Sequence, residues 1–231
     1  MALYSHTTKD LLEIELGNRT FSDSTILNSD IDNLACSKSE WNTIEIKDSN
    51  CNDSVFDEIN FIGCELDHSS FINTQFRNCK LSKTHFNCTS LIKLQLINSV
   101  LKNHVIDSCT LHRSVINKCI IQNSTFKDFE GISSKIDQSV FINCNFEITY
   151  GSGMNGYSSG LFENCIFINC SFTGFPLRGA ETKDCAFINC TGEISDSIQT
   201  SCTYGLENSI KNETIKLSNK ALAEKLISEV S

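Results

Sequence analysis

The chain has 231 residues, 40% of them hydrophobic, which is enough for a real core, and no stretch reaches the length of a membrane span. A net charge of −9 disfavours direct binding to the phosphates of DNA or RNA. The start, MALYSHTTKDLLEIELGNRT, lacks the basic flank and apolar run of a secretory signal, so the thirteen cysteines, an odd number, are expected as reduced thiols in a cytoplasmic protein rather than as a disulfide framework.

In chain order, residues 1–20 read as an N-terminal cap and first coil, with Thr8 ahead of Leu11 and Leu12 able to start the cap. From Leu11 a five-residue step runs to Phe146 through 28 centre positions. None is charged and almost all are Leu, Ile or Phe, with Cys36, Trp41, Cys51 and Gly131 as variants. The stretch FDEINFIGCELDHSSFINTQFRNCKL, 56–81, displays the step. A helix face would repeat at three and four residues and a half-buried strand at two, so neither period accounts for it. The residue two before each centre is usually small, as at Ser24, Ser49, Cys64, Thr74, Cys79, Thr89 and Ser124. The other three positions hold nearly all the Asp, Glu, Lys, Arg and Asn. Each block of five thus has two inward and three outward residues, and such self-similarity means a solenoid in which units bury their apolar sides by stacking.

With these centres and small slots the chain resembles the pentapeptide-repeat family over about residues 20–146 and 161–190. The resemblance implies an all-β solenoid, a right-handed quadrilateral β-helix of about eight to nine coils with a C-terminal helix. Each 20-residue coil would have four five-residue sides. Phe21, Trp41, Phe61, Leu81, Leu101, Ile121 and Phe141 then form one interior column. At roughly 4.8 Å per coil the rod would be about 40 Å long. All fifteen Phe residues fall on inward slots, and Phe-Ile-Asn-Cys recurs at 141–144, 167–170 and 187–190, where many relatives favour Ala and Leu.

The main array, 21–146, is followed by a break. From Phe146 the next clear centre is Phe162, and the intervening 147–160, EITYGSGMNGYSSG, reads as a projecting loop rich in Gly and Tyr. Loops on rigid scaffolds often carry recognition, so Tyr150, Met154, Asn155 and Tyr157 are candidate partner-binding residues. A second array, 161–205, resumes through Phe167, Phe172, Leu177 and Phe187. In the final segment, 206–231, Leu222, Leu226, Ile227 and Val230 share one helical face after the cap residue Ser218, suited to closing the last coil or pairing with a second copy.

Nine cysteines occupy the small slot, where they act as small hydrophobes. Stacking would bring Cys165 to Cys185 and Cys170 to Cys190, close enough for a disulfide or a metal set were the narrow interior not already filled. Stepping by twenty also stacks Asp48, His68 and Cys88 on the outside, the parts of a nucleophilic triad on a face that offers no pocket. His104 takes a small inward slot as a packing residue. No phosphate-cradling glycine loop, carboxylate cleft or metal-binding His motif is present, so no cofactor, no metal and no catalysis are expected.

Charge alternates along the chain: residues 1–70 carry −10, 71–135 carry +6 and 136–231 carry −5. The family resemblance implies proteins that imitate duplex DNA and bind type II topoisomerases, protecting them from quinolones or toxins. The expected partner is therefore a protein, DNA gyrase or topoisomerase IV, with no direct contact to nucleic acid or membrane, and the C-terminal helix is left either to close the last coil or to form a homodimer. The competing expectation is a general protein-interaction scaffold without DNA mimicry, which accommodates the basic middle block directly.

Overall fold

Each five-residue unit supplies one side of a coil, and the computed structural model describes residues 16–17, 20–149, 156–188 and 190–192. Three of the four sides per coil are three-residue strands, and each side stacks on its equivalent one coil away to give three nine-stranded parallel sheets. The first sheet runs through Cys36, Phe56, Phe76 and Leu96, the second through Phe21, Trp41, Phe61 and Leu81, the third through Ile26, Ile46, Leu66 and Phe86. The fourth side is joined by single bridges, from Asp30 to Asn50 and on by steps of twenty to Glu130. The result is an all-β parallel solenoid of about eight turns.

The register follows the repeat. Trp41 lies between Phe21 and Phe61 with ring centroids 5.6 and 5.4 Å apart, as the twenty-residue coil requires. Inward-facing centres are buried along the array, while the flanking strand residues mostly keep some contact with solvent. Further along, Phe141, Phe167 and Phe187 stack nearly parallel at 4.8 and 4.6 Å, and so do Phe126, Phe146 and Phe172 at 4.7 and 5.1 Å. In the middle coils the centres are aliphatic. Leu81, Leu96, Leu101 and Ile116 line an apolar cavity of about 20 Å³, room for at most one water, which has no polar wall to hold it.

What turns each corner is a residue with positive φ two positions after the centre. Among the described residues twenty-nine non-glycine positions take this left-handed conformation, and fifteen are Asn or Asp, the side chains that tolerate it best. Their amides are satisfied from the next coil, as in Asp48 N–H to the Asp67 carbonyl at 3.1 Å. On one corner the side chains also form a ladder: Asn123 donates to Asn103, Asn143 to Asn123 and Asn169 to Asn143, at 3.1–3.3 Å.

The small slot is chosen for hydrogen bonding as well as size. Thr89 Oγ1 lies 2.8 Å from both the Asn87 carbonyl two residues back and the Leu66 carbonyl of the neighbouring coil. Cys79 and Cys119 repeat the pattern with thiols at 3.2–3.3 Å. A buried acceptor left without a donor costs about 1–3 kcal/mol, so Ser, Thr and Cys are favoured here over Ala.

The break in the repeat is shorter than the expected loop at 147–160. The third-sheet strand runs through Glu147, Ile148 N–H still reaches the Thr173 carbonyl at 2.9 Å, and the fourth side resumes at Gly156 opposite Glu130. The step from 130 to 156 is twenty-six, so the insertion is the six residues 150–155. Tyr150, Met154 and Asn155 belong to it and lie outside the described residues. Tyr157 does not, and its assignment to a contact loop is corrected: it is a buried centre residue, ring to ring with Phe129 at 4.9 Å and Phe162 at 5.0 Å. Gly131, the odd centre one coil earlier, explains why. A Cβ there would run into the Tyr157 ring, so the missing side chain of one coil makes room for the large one of the next. Phe175 departs from its expected inward slot in a different way, half-buried and at φ 54 in a turn after Gly174. The N-terminal cap and the helix of Leu222, Leu226, Ile227 and Val230 fall outside the described residues.

Candidate functional site

A rod of this kind offers faces, and its chemistry depends on which side chains share one. The first sheet's outer surface mixes signs: Lys135 and Lys183 both grip Glu163, at 3.0 and 2.8 Å, and these two contacts hold its carboxyl down at about 2. The second sheet carries Lys80, Lys83 and Lys102 in its middle and turns apolar beyond. The third sheet with its corner collects Glu45, Asp48, Glu65, Asp67, Asp107, Asp128 and Glu147 against Lys47 and Lys127 alone, a net charge of −5. The described residues from 20 to 192 carry −6 in all. Most of the net charge therefore lies on one face. Folding converts an alternation along the chain into a segregation around the rod.

Asp67 is the hub of that face. Its Oδ1 takes the His68 Nδ1 at 2.7 Å and the Asn87 amide at 2.8 Å, while Lys47 Nζ lies 3.7 Å from Oδ2. This arrangement also settles the external column of Asp48, His68 and Cys88. All three stand at positive-φ corners one coil apart, but His68 is turned to its neighbour Asp67. The Cys88 thiol points to Asn87 Oδ1 at 3.6 Å. Partial burial and then the charges of Asp67 and Asp107 push that thiol up, away from the thiolate a nucleophile needs. No relay from acid to base to thiol is assembled.

Many of the interior thiols are more strongly suppressed, although contact with Cys170 lowers Cys144 and contact with Cys165 lowers Cys185. Burial pushes Cys109 and Cys119 up to about 12, and burial likewise raises Cys165 well above its ordinary value. Among the described residues no group of three or more His, Cys, Asp or Glu is arranged to hold a metal ion. His104 packs edge-on to Phe86 at 5.1 Å, but neither ring nitrogen has a hydrogen-bond partner, and burial, with His85 adding to it, pushes the imidazole down to about 3. It is a packing residue without the local satisfaction its slot gives to Ser or Thr.

Sequence reasoning did not find the acidic face, although the signal was available: acids one before, one after and two after a centre, summed by twenty-residue step rather than by position along the chain. It did not find the Asp67 cluster either, because contacts between residues twenty apart depend on side-chain direction at each corner.

No curated protein matches the chain. Among solved structures it resembles HetL, a pentapeptide repeat protein involved in heterocyst differentiation regulation from the cyanobacterium Nostoc, with 13% identity, TM-score 0.38 and coverage of 78% of this chain and 85% of that one. It also resembles full-length QnrB1, a plasmid-mediated fluoroquinolone resistance protein, with 12% identity, TM-score 0.35 and coverage of 79% and 96%. The catalytic domain of a GH87 alpha-1,3-glucanase is similar over 75% of this chain and 46% of that one, with 10% identity and TM-score 0.34. Likenesses at this level say nothing about what the present chain binds. The repeats themselves are diagnostic: the Pentapeptide repeats family matches with eight copies, at residues 46–82, and the same five-residue step continues on both sides of that stretch. By its repeats, the chain belongs to the pentapeptide-repeat family.

Proposed function

We propose that the protein is a non-catalytic rod that binds a protein partner through its acidic third face. The observation that carries this reading is the segregation of charge: seven acidic and two basic side chains share that face, while the adjoining second sheet presents lysines in the middle of the rod. A face of one sign attracts a basic surface at long range and rejects a wrongly rotated one. A reducing compartment such as the cytoplasm suits the many buried thiols.

The partner implied by the family resemblance is DNA gyrase or topoisomerase IV, engaged where it would take DNA. A supercoiling assay with purified gyrase, with and without a quinolone, tests this. The expected result is a change in supercoiling or in drug sensitivity that is lost in the Asp48→Lys/Glu65→Lys variant. Unchanged curves at every protein concentration would remove the topoisomerase reading.

One observation favours the alternative of a general interaction scaffold. A net charge of −5 over five coil steps of roughly 4.8 Å, about 24 Å in all, is about one charge per 5 Å, against one per ~1.7 Å along duplex DNA. A field of that strength fits a protein partner with a modest basic patch better than a groove evolved for a polyanion.

A further inference from the structure

In the column of small slots between the first and second sheets, Cys79 stands between Ile59 and Ser99, and Cys119 between Ser99 and Ser139. Among the described residues of this column, two thiols meet in adjacent coils only at Cys165 and Cys185, both free in this structure. The register fixes how they face one another. Glu163 pairs with Lys183 just before them and Ile166 with Ala186 just after, and the Ala186 N–H donates to the Cys165 carbonyl at 2.9 Å. Both side chains take the same direction, each thiol lying 3.3–3.4 Å from the carbonyl two residues back, Glu163 and Lys183 respectively. Cys185 Sγ also reaches the Phe162 carbonyl of the neighbouring coil at 3.3 Å, and the two thiols are hydrogen-bonded to each other. Cα atoms one coil apart, roughly 4.8 Å, fall inside the disulfide range of about 4.4–6.8 Å. Bonded sulfurs, about 2.0 Å apart, need less room than two thiols in contact, so the filled interior does not oppose a disulfide. Serine satisfies the same slot, as at Ser139 one coil earlier, whose hydroxyl lies 2.9 Å from the Asp137 carbonyl. What two stacked cysteines add is redox chemistry.

We propose that Cys165 and Cys185 form a reversible thiol-oxidation site, joined into a disulfide across adjacent coils when a peroxide reaches Cys185. Cys185 is half-buried and Cys165 buried, so the oxidant meets Cys185 first. Contact with Cys165 lowers the Cys185 thiol and favours its thiolate, the form that attacks. Its sulfur displaces hydroxide from the peroxide O–O bond and becomes a sulfenic acid. The Cys165 sulfur then attacks the sulfenic sulfur, and its proton leaves with the hydroxyl group as water. In sum, two thiols and one hydrogen peroxide give one disulfide and two waters. Because stacked residues hold their Cβ atoms near the coil spacing, wider than the roughly 3.8 Å of a relaxed disulfide, the bond is strained and readily reduced. Cys170 is less well suited, since it touches both Cys144 and Cys190 and has no single partner. The site lies between the first and second sheets, away from the acidic third face, so it stands independently of the partner proposed above.

Peptide mapping tests the site. The full chain is treated with hydrogen peroxide, quenched with N-ethylmaleimide under denaturing conditions and digested with trypsin without reductant. Cleavage after Lys135, Arg178, Lys183 and Lys211 places Cys165 on peptide 136–178 and Cys185 on peptide 184–211. The expected product is these two peptides linked, in the natural protein and in Cys144→Ser/Cys170→Ser/Cys190→Ser, released by reduced glutathione, and lost when Cys185→Ser is added to the triple variant. No linked product, a link that survives Cys185→Ser, or one that glutathione leaves intact would overturn the proposal. Fragment-ion mapping of the link in the natural protein reads the same site with no substitution, and its failure to find a bond between Cys165 and Cys185 would overturn the proposal equally.

Discussion

At His104 the repeat asks for a small side chain able to donate to a carbonyl, and the chain instead places an imidazole with no partner. Its depressed value, about 3 against an ordinary 6.5, has a definite sign: the unfolded chain takes up the proton first as pH falls. The associated stability is therefore fully present above pH 6.5 and is lost as pH drops towards 3. At roughly 1.4 kcal/mol per pKa unit the loss amounts to a few kcal/mol. Urea midpoints measured from pH 7 to 4 are expected to fall more steeply for the natural protein than for His104→Ser, and parallel curves would refute the assignment. Gly131 and Tyr157 form a second residue-scale pair. Gly131→Ala is expected to cost about 1–3 kcal/mol through overpacking, with part of the loss recovered in the double variant that also carries Tyr157→Leu. Additive losses in a denaturation cycle would mean that the two sites do not share space. Cys88 supplies a third. As the exposed thiol among the described cysteines it is expected to alkylate ahead of the buried ones, at a rate unaffected by His68→Ala. A clear slowing in that variant would restore a base–thiol pair.

At the scale of the element, strand, corner and slot each answer a backbone requirement. A three-residue strand followed by a left-handed corner leaves no spare residue, so a coil tolerates additions only at a corner, where side chains already point outward. The six extra residues follow the corner residue Ile148, whose N–H still reaches the Thr173 carbonyl, and precede Gly156, which pairs with Glu130. Deleting all six is therefore expected to restore an uninterrupted twenty-residue step, with the β circular dichroism retained and the thermal midpoint lowered little if at all. Loss of the β signal would show that the insertion is needed to close the coil between Phe146 and Tyr157.

Around the whole molecule, charge and hydrophobicity are sorted by face. Within the second sheet, lysines give way along the rod to an apolar strip, while the third face carries acids on five of the six coils between Glu45 and Glu147. This sorting predicts an orientation effect in partner binding. Asp48→Lys with Glu65→Lys is expected to weaken association markedly and to flatten its salt dependence. Lys183→Ala, on the mixed first face, is expected to leave both nearly unchanged. Equal losses from the two variants, measured by titration at two ionic strengths, would remove the directional face from the account.

The five-residue step and most of the inward residues were legible from the sequence, because burial inside a narrow tube constrains each centre separately and leaves its mark in composition, while the twenty-residue coil came with the family resemblance. Trp41 between Phe21 and Phe61 followed from the five-residue spacing together with the four-sided coil that the family resemblance implies. The fate of Tyr157 did not: its role depends on a glycine twenty-six residues earlier, and only the resumed register reveals the vacancy it fills. The same holds for His68 turning to Asp67 and away from Cys88, and for acids far apart in the chain sharing one face. Inward positions are selected one at a time by exclusion of water, whereas outward side chains acquire neighbours only when coils stack, so surface chemistry was decided by the tertiary structure.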